Sequence, residues 1–380
     1  MKIYDVLILG SGASGLMCAS NLPKRLQVGI IESNDAVARK LKISGGGKCN
    51  ITNVEVSAEH YDGDKTLLQK VLKRYSRNNL LEFLERNRVE LEIRKGRYYF
   101  CKKSAQDVID LLMKSAQKSD ILLREKIMCV EKEDDMFVVQ TDKNRYLAKK
   151  VVVATGGESF KNIGASDIGL KIAEHFGIAY KKFRPALVGL TLQKEQFWMK
   201  ELSGLSCQVA IKVGKHVLRE EMLFAHKGIS GPAVLSASLY WQKGEMSIDF
   251  LPENDIAELV KKGGKKLISS VLPLPKRLSK TLLHAIDVKD KPCNALIKEV
   301  LLKLTQLHNY TFAPAGNFGF SKAEVSSGGV EADELESNTL EAKKVEGLYF
   351  IGEVVDITGE LGGYNFQWAF SSAYVCAKAI

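Results

Sequence analysis

Gly10-Ser-Gly12-Ala-Ser-Gly15 decides the reading of this chain, because it stands between an apolar run, Tyr4 to Leu9, and an apolar helical stretch, Gly15 to Leu22. A Gly-x-Gly-x-x-Gly pattern is weak alone and becomes specific where it closes a strand and opens a helix. The three glycines act separately, since Gly10 allows the tight turn, Gly12 lets the backbone approach a pyrophosphate, and Gly15 permits close packing of helix on strand. The helix start then offers unpaired N–H groups and the positive end of its dipole to phosphates. Gln27 to Ile31 supplies the second strand of a βαβ unit. Glu32 ends it about twenty residues beyond the glycines, where a carboxylate accepts hydrogen bonds from an adenosine ribose. An acid rather than an arginine at this place disfavours a 2′-phosphate.

FAD and NAD share this half-site, so the choice rests on the other end of the chain. Gly347-Leu-Tyr-Phe-Ile-Gly352-Glu353 is an apolar strand ending in a glycine and an acid, and Gly362-Gly363-Tyr364-Asn365 opens the last helix, Phe366 to Ala379. The acid suits a ribityl hydroxyl. The helix would point its positive end at the flavin N1 and C2 carbonyl, where negative charge gathers on reduction. These features select FAD. Ala154-Thr155-Gly156-Gly157, after a run of valines, reads either as another glycine turn against the cofactor or as a plain strand exit.

Between these ends, Asn79 to Asn87 and a Ser104-capped stretch to about Lys118 carry helical spacing. Val89 to Cys101 reads as a strand pair around Lys95-Gly96. Ile121–Val130, Met136–Thr141, Arg145–Ala148 and Val151–Ala154 read as a β-meander returning to the main sheet. After Pro185 the pattern changes to short strands and a lysine-rich helical region, 255–307. The fold class is therefore α/β, a Rossmann-type FAD-binding domain with a β-meander, carrying an inserted mixed β-barrel/helical domain. The expected division is 1–190 with 325–380 for the discontinuous FAD-binding domain, and 191–324 for the insert.

Bulk properties narrow the classes. A chain of 380 residues, 45% apolar, supports two domains. The seven cysteines have neither Cys-x-x-Cys pairing nor regular spacing, which argues against a disulfide framework or a metal site and for a reducing cytoplasm. Asp5 interrupts the stretch that Lys2 would open as a signal peptide. No apolar run is long enough to cross a membrane. The net charge of +10 suits an anionic partner. Its lysines, Lys261, Lys262, Lys265 and Lys266 among them, look like a solvated basic face, which argues against nucleic-acid binding.

Three longer motifs make the reading more specific: Arg39-Lys-Leu-Lys-Ile-Ser-Gly-Gly-Gly-Lys-Cys-Asn-Ile-Thr-Asn53, Gly352-Glu-Val-Val-Asp356, and Gly362-Gly-Tyr-Asn-Phe-Gln-Trp-Ala-Phe370. Together with Glu221-Met-Leu-Phe-Ala-His-Lys-Gly-Ile-Ser-Gly-Pro232 and Ser327-Gly-Gly-Val330, the chain resembles the HI0933-like flavoproteins over nearly its whole length. That family is also described as aminoacetone oxidase-like or bile-acid dehydro-reductase-like. The resemblance implies that Gly10, Gly12, Ala13, Ser14, Gly15, Glu32, Lys40, Gly46, Gly47, Asn50, Gly156, Glu353, Gly363, Asn365 and Phe366 line FAD, with the backbone of Val130 at the adenine. The chain departs from the family after Gly157, where Lys161-Asn-Ile-Gly-Ala-Ser-Asp-Ile-Gly169 replaces a Pro-x-Thr-Gly-Ser-Thr-Gly-Asp-Gly-like run.

His226, before the Gly228-Ile-Ser-Gly-Pro turn, and Tyr364 are the candidate proton donors or substrate anchors, against the alternative that both are packing residues. Cys49 lies beside the glycine run but lacks a nearby thiol partner, which favours a packed side chain over a redox thiol. No second dinucleotide fingerprint follows a strand, so NAD(P)H is left as a transient donor over the flavin. The expected activity is hydride transfer between flavin N5 and a small organic substrate, by reduction of an activated C=C bond or oxidation of an amine. The alternatives are an RNA-associated flavoprotein using its basic surface and a purely structural FAD.

Overall fold

The computed structural model describes residues 2–380, and the chain divides into two compact units, Met1–Pro185 with Glu324–Ile380, and Ala186–Ala323. In the first unit, apolar β-branched runs form a seven-stranded sheet. Its strands are β1 (Ile3–Leu9), β2 (Val28–Glu32), β3 (Asp120–Leu123), β4 (Ile127–Glu133), β5 (Met136–Thr141), β6 (Arg145–Val153) and β7 (Leu348–Phe350). The order is β3-β2-β1-β6-β5-β4, with β7 also on β6. Strands β3, β2, β1, β6 and β7 run parallel, and Val6 to Leu9, Ile30, Ile31 and Val151 to Val153 are closed off from solvent, as expected of a parallel sheet covered on both faces.

Strand β6 changes partner along one edge. Arg145–Ala148 pairs antiparallel with β5, whereas Val151–Val153 pairs parallel with β7. The C-terminal segment is thereby seated next to the strand that pairs with β1, so both chain ends enter one sheet. Helix α1 (Ala13–Asn21) and the last helix, α3 (Tyr364–Ala379), pack together, while α2 (Ala105–Ser115) packs against α1. Ser104 caps α2 by accepting the Gln106 N–H.

The strand expected over Ile121–Val130 is two strands with different roles. Arg124 takes a left-handed φ of +60°, turning the chain out of β3. The buried Glu125 then accepts hydrogen bonds from Thr141 Oγ1 (2.9 Å), Asn144 Nδ2 (3.1 Å) and the Tyr146 hydroxyl (2.8 Å). β3 is thus a parallel edge strand on β2, and only β4 belongs to the meander.

The second unit has its own seven-stranded antiparallel sheet, centred on Ser206–Val213 and His216–Ala225. Val209, Ile211, Met222, Phe224 and Ile248 pack there with Ala233, Val234 and Ala237 of the helix Pro232–Tyr240 and with Leu278, Leu282 and Leu283 of the helix Lys276–Ala285. The region 255–307 contains the helices Ile256–Gly263, Ile268–Val271, Lys276–Ala285 and Lys298–Leu304. Among the described residues, no helix is long and apolar enough to cross a membrane.

Candidate functional site

The N-terminal turn is built from two kinds of glycine. A Cβ on Gly15 would collide with the Gly10 carbonyl, and one on Gly10 would lie 2.5 Å from the Ala154 carbonyl oxygen, so both are required by backbone packing. Gly12 has open space where a Cβ would be, with φ of −73°, and no side chain caps α1. The helix start is left as a bare set of N–H donors facing that space. Gly46 and Gly156 face open space in the same way, and Gly46 and Gly47 lie in a glycine turn, Ser44–Gly47, with left-handed backbone.

Glu32 is buried at the end of β2 with both oxygens engaged. Oε2 accepts from the Ser11 N–H (3.1 Å) and Ser11 Oγ (2.6 Å), and Oε1 from the Asn34 N–H (2.9 Å) and Asn34 Nδ2 (2.7 Å). With Ser33 Oγ also donating to Oε1 (3.3 Å), neutral donors fill the acceptor capacity of a carboxylate.

The C-terminal turn meets this first turn directly. A Cβ on Gly352 would lie 2.6 Å from Ser14 Oγ. The Gly352 peptide is clamped from α3: its N–H donates to Ser372 Oγ (3.0 Å) and its carbonyl accepts from Trp368 Nε1 (3.0 Å). Glu353 follows, with Oε2 paired to Lys40 Nζ at 2.7 Å and Oε1 accepting the Ser326 N–H at 2.8 Å. A Cβ on Gly363 would press on the Thr52 backbone, which seats the start of α3 against the segment beginning at Asn50. Asn50 Oδ1 and Thr155 Oγ1 are buried without a hydrogen-bond partner among the described residues.

Of the residues expected around the cofactor, Gly10, Gly12, Ala13, Ser14, Gly15, Glu32, Lys40, Gly156, Glu353 and Gly363 thus stand on connected turns. The Asn365 side chain is committed elsewhere: Oδ1 accepts the Gly359 N–H and Nδ2 donates to the Gly359 carbonyl, both at 2.9 Å, leaving its backbone at the helix start. Phe366 is half-buried and stacked on Phe370. Val130 lies on β4, opposite Val139, and the segment that enters β4 is bonded to the first corner, the Glu125 N–H donating to the Glu32 carbonyl (3.0 Å).

The divergent segment after Gly157 is also tied into these turns. Ser326 Oγ accepts the N–H groups of Glu158 (2.9 Å) and Ser159 (3.0 Å), Lys40 Nζ lies over the Phe160 ring, and the Ile163 carbonyl accepts from Asn34 Nδ2 (2.9 Å). It therefore runs from Glu353's partner Ser326 to Glu32's partner Asn34. Ser11, Asn34, Thr155 and Ser326 are the polar residues of this region that sequence reasoning did not single out. The only signal for them was adjacency to the glycine turns.

Two chemical candidates sit in contrasting surroundings. Tyr364 is 1% exposed, stacked on His60 (ring centroids 4.7 Å apart) and edge-on to Tyr61, and burial pushes its phenol well above the usual range. That ring packs the start of α3 and is withheld from solvent. His226 is exposed on the turn between strands His216–Ala225 and Gly228–Ser230. Cys49 is buried, with φ of +45° and a thiol pushed up by burial, which keeps it protonated and agrees with a packed side chain. Among the described residues, no group of three or more His, Cys, Asp or Glu could hold a metal.

The profile of the HI0933-like protein Rossmann domain matches residues 4–379. The chain belongs to the HI0933-like family. Within it, a ribosomal RNA dihydrouridine synthase of Haemophilus influenzae is 37% identical, covering 98% of both chains. The protein of the same name from Escherichia coli is 36% identical over 100% of this chain and 98% of its own. A 3-dehydro-bile acid delta(4,6)-reductase of Clostridium scindens is 30% identical over 98% of each. Among solved structures, the fold is similar to a 3-ketosteroid-delta4-(5alpha)-dehydrogenase from Rhodococcus jostii, with TM-score 0.52, 12% identity and coverage of 99% and 96%. A quinol-fumarate reductase gives TM-score 0.53 at 13% identity, covering 100% of this chain and 70% of that one. At these identities the structural likeness speaks to the Rossmann-type fold.

Proposed function

We propose that this HI0933-like chain is an FAD-dependent reductase that adds two hydrogens across the C5=C6 bond of a uridine in ribosomal RNA, with NAD(P)H as transient donor. The observation that carries this reading is the identity of 36–37% along essentially the full length of two proteins named for that activity. The third relative's name denotes a reductase of C=C bonds in a 3-oxo compound. In both substrates the double bond is conjugated with a carbonyl, so one chemistry serves them: hydride enters at the β-carbon, the carbonyl oxygen takes up charge, and a proton reaches the α-carbon.

The residues present fit FAD. A Cβ at Gly12, Gly46 or Gly156 would meet no protein atom, which leaves their backbone open to a ligand, and the orphaned Asn50 Oδ1 and Thr155 Oγ1 await donors or a polar group. The amides from Gly12 to Gly15 would hold the diphosphate, Glu32 the adenosine ribose, and Glu353 with Lys40 the ribityl side. When bound, FAD supplies the hydride. The chain's own contribution is orientation and electrostatics: the clamped Gly352 peptide fixes Glu353, and Lys40 gives that corner a cation. The uncapped start of α3 turns N–H donors and positive dipole toward its surroundings. A base inside folded RNA must leave its stack before it can react in such a site.

The test is to incubate the FAD-loaded protein anaerobically with NADH or NADPH and unmodified transcripts of both ribosomal RNAs, and to read uridine mass by nuclease digestion and mass spectrometry. One uridine gaining two hydrogens, with matching NAD(P)H consumption, is expected. Reduced flavin that is reoxidised by a steroid enone and leaves every uridine unchanged would overturn the RNA reading in favour of a small-molecule reductase.

A further inference from the structure

The chain's positive charge is concentrated in one place. The second unit holds 19 Lys and Arg against 12 Asp and Glu, which is +7 of the chain's +10 in 138 residues. Within it, the helical layer 256–303 has 11 basic residues and 4 acidic ones, again +7, so the rest of that unit is balanced. The acids of the layer are mostly consumed. Glu258 pairs with Lys262 at 2.9 Å, Asp287 with Lys303 at 2.7 Å, and Asp290 accepts from the Ser269 N–H and Oγ.

Lys261, Lys265, Lys266, Lys276, Lys280 and Lys291 are exposed and have no ion-pair partner among the described residues. The backbone holds them together. The Cys293 N–H donates to the Lys266 carbonyl (2.9 Å), the Asn294 N–H to Gly264 (2.9 Å) and the Ile268 N–H to Lys291 (3.0 Å), zipping the segment after helix Ile256–Gly263 onto Lys291–Asn294. Helix Ile268–Val271 packs on both Ile256–Gly263 and Lys276–Ala285, and Lys276 and Lys280 lie one turn apart on the latter. Clustered like charges with no internal counter-ion raise the local potential and lose stability through repulsion unless an external polyanion is recruited.

We propose that this helical layer of the insert is an RNA-docking surface that grips phosphates without reading bases. The proposal rests on the RNA reading of the function. Lysines act as point charges on the phosphate backbone, and these six are not interleaved with aromatic side chains on which bases would stack, so they position RNA while leaving sequence choice to other parts of the protein. The surface would raise the encounter rate and hold a large substrate whose reacting base is a small part of it.

The experiment measures the affinity of the full-length, FAD-loaded protein for a single-stranded RNA of about 40 nucleotides and mixed sequence, at 50 and 200 mM KCl. With about four phosphates held, affinity should fall about 50-fold between these salts. The variant K261Q/K265Q/K266Q/K291Q should lose most of its RNA binding at 50 mM KCl and flatten the salt slope by about 0.7 per lysine removed. K212Q/K215Q/K243Q, on exposed lysines of the same unit outside the layer, should leave binding within about twofold. The flavin spectrum should be unchanged in both. Wild-type affinity and slope in the fourfold variant would overturn the proposal. Capture on phosphatidylserine vesicles that the fourfold variant loses, with no RNA binding by either protein, would overturn it in favour of a membrane surface. RNA binding that follows the lysines while no uridine is reduced would keep the surface and reject the activity; the reverse result would keep the activity and reject the surface.

Discussion

Glu32 ends one parallel strand and Glu353 stands in the turn just beyond another of the same sheet, yet the two corners are built on different electrostatics. Glu32 is held by five neutral donors from Ser11, Ser33 and Asn34. A ribose hydroxyl is also a neutral donor, so taking the place of Ser11 Oγ exchanges one hydrogen bond for another at little net change. Glu353 is held by the Lys40 ammonium and one backbone N–H, a charge-assisted arrangement that a hydroxyl would not displace. The first corner is adaptable and the second is fixed. The difference teaches that an acid at or just past a strand end is not one device: its neighbours decide whether neutral donors or a cation hold it.

The largest effect expected concerns the glycines that hold the first corner. Gly15→Ala drives a methyl group into the Gly10 carbonyl and should cost about 1–3 kcal/mol or more, read as a lower Tm of the apoprotein. Gly12→Ala meets open space at a φ that alanine accepts, so apoprotein Tm should hold while FAD affinity falls. Equal Tm losses in the two would mean that both glycines serve packing and that the first corner holds no diphosphate.

Next in size is the second corner. Lys40→Met removes the cation from a pair whose side chains are 32% and 19% exposed, and should weaken FAD by about 1 kcal/mol, roughly fivefold in Kd by fluorescence titration. Added salt should shrink the wild-type advantage, because a partly exposed pair is screened. A loss independent of salt would show that Lys40 acts by packing over Phe160 instead.

Much of this was legible because it depends on local rules. The run Tyr4 to Leu9, the glycines after it and Glu32 obey spacing that a reader can check, and the sheet places them as the spacing implies. Arg124 was not legible, since nothing in Leu-Arg-Glu-Lys announces a left-handed residue; the buried bonds of Glu125 to Thr141 and Tyr146 impose the break. The partner of the Asn365 side chain was not legible for a related reason. A motif places a residue at a helix start, and only tertiary structure shows that Gly359 claims its amide. In the lysine-rich region, read as a solvated face, the pairing of Glu258 with Lys262, Asp287 with Lys303 and Asp290 with Ser269 is a property of the fold.

A smaller effect tests the exchange proposed at the first corner. Ser11→Ala removes the hydroxyl that would yield to a ribose, so FAD affinity should stay within about twofold, while the apoprotein loses about 1 kcal/mol with the 2.6 Å bond to Glu32. A tenfold loss of FAD affinity would make Ser11 Oγ itself a ligand contact and Glu32 a fixed anchor like Glu353.

The smallest effect lies beside the second corner, at the carboxyls Asp62 and Asp356. Burial, and then the nearby Asp356 charge, raise Asp62 above its ordinary value of 3.8, while Lys181 is already paired to Asp356 at 2.7 Å. A carboxyl with a raised folded-state value contributes stability while both folded and unfolded forms are protonated, and that stability is lost as pH rises through the folded value. Asp62→Asn removes this loss, so its Tm should match or trail the wild type at pH 3 and exceed it at pH 7, with the gap opening as pH passes upward through the carboxylate range. Arg184, Lys181 and Lys65 act in the opposite sense on Asp62. A variant less stable than wild type at pH 7 would mean that these cations outweigh burial, and that this corner, like Lys40 with Glu353, is held by opposite charges rather than strained by like ones.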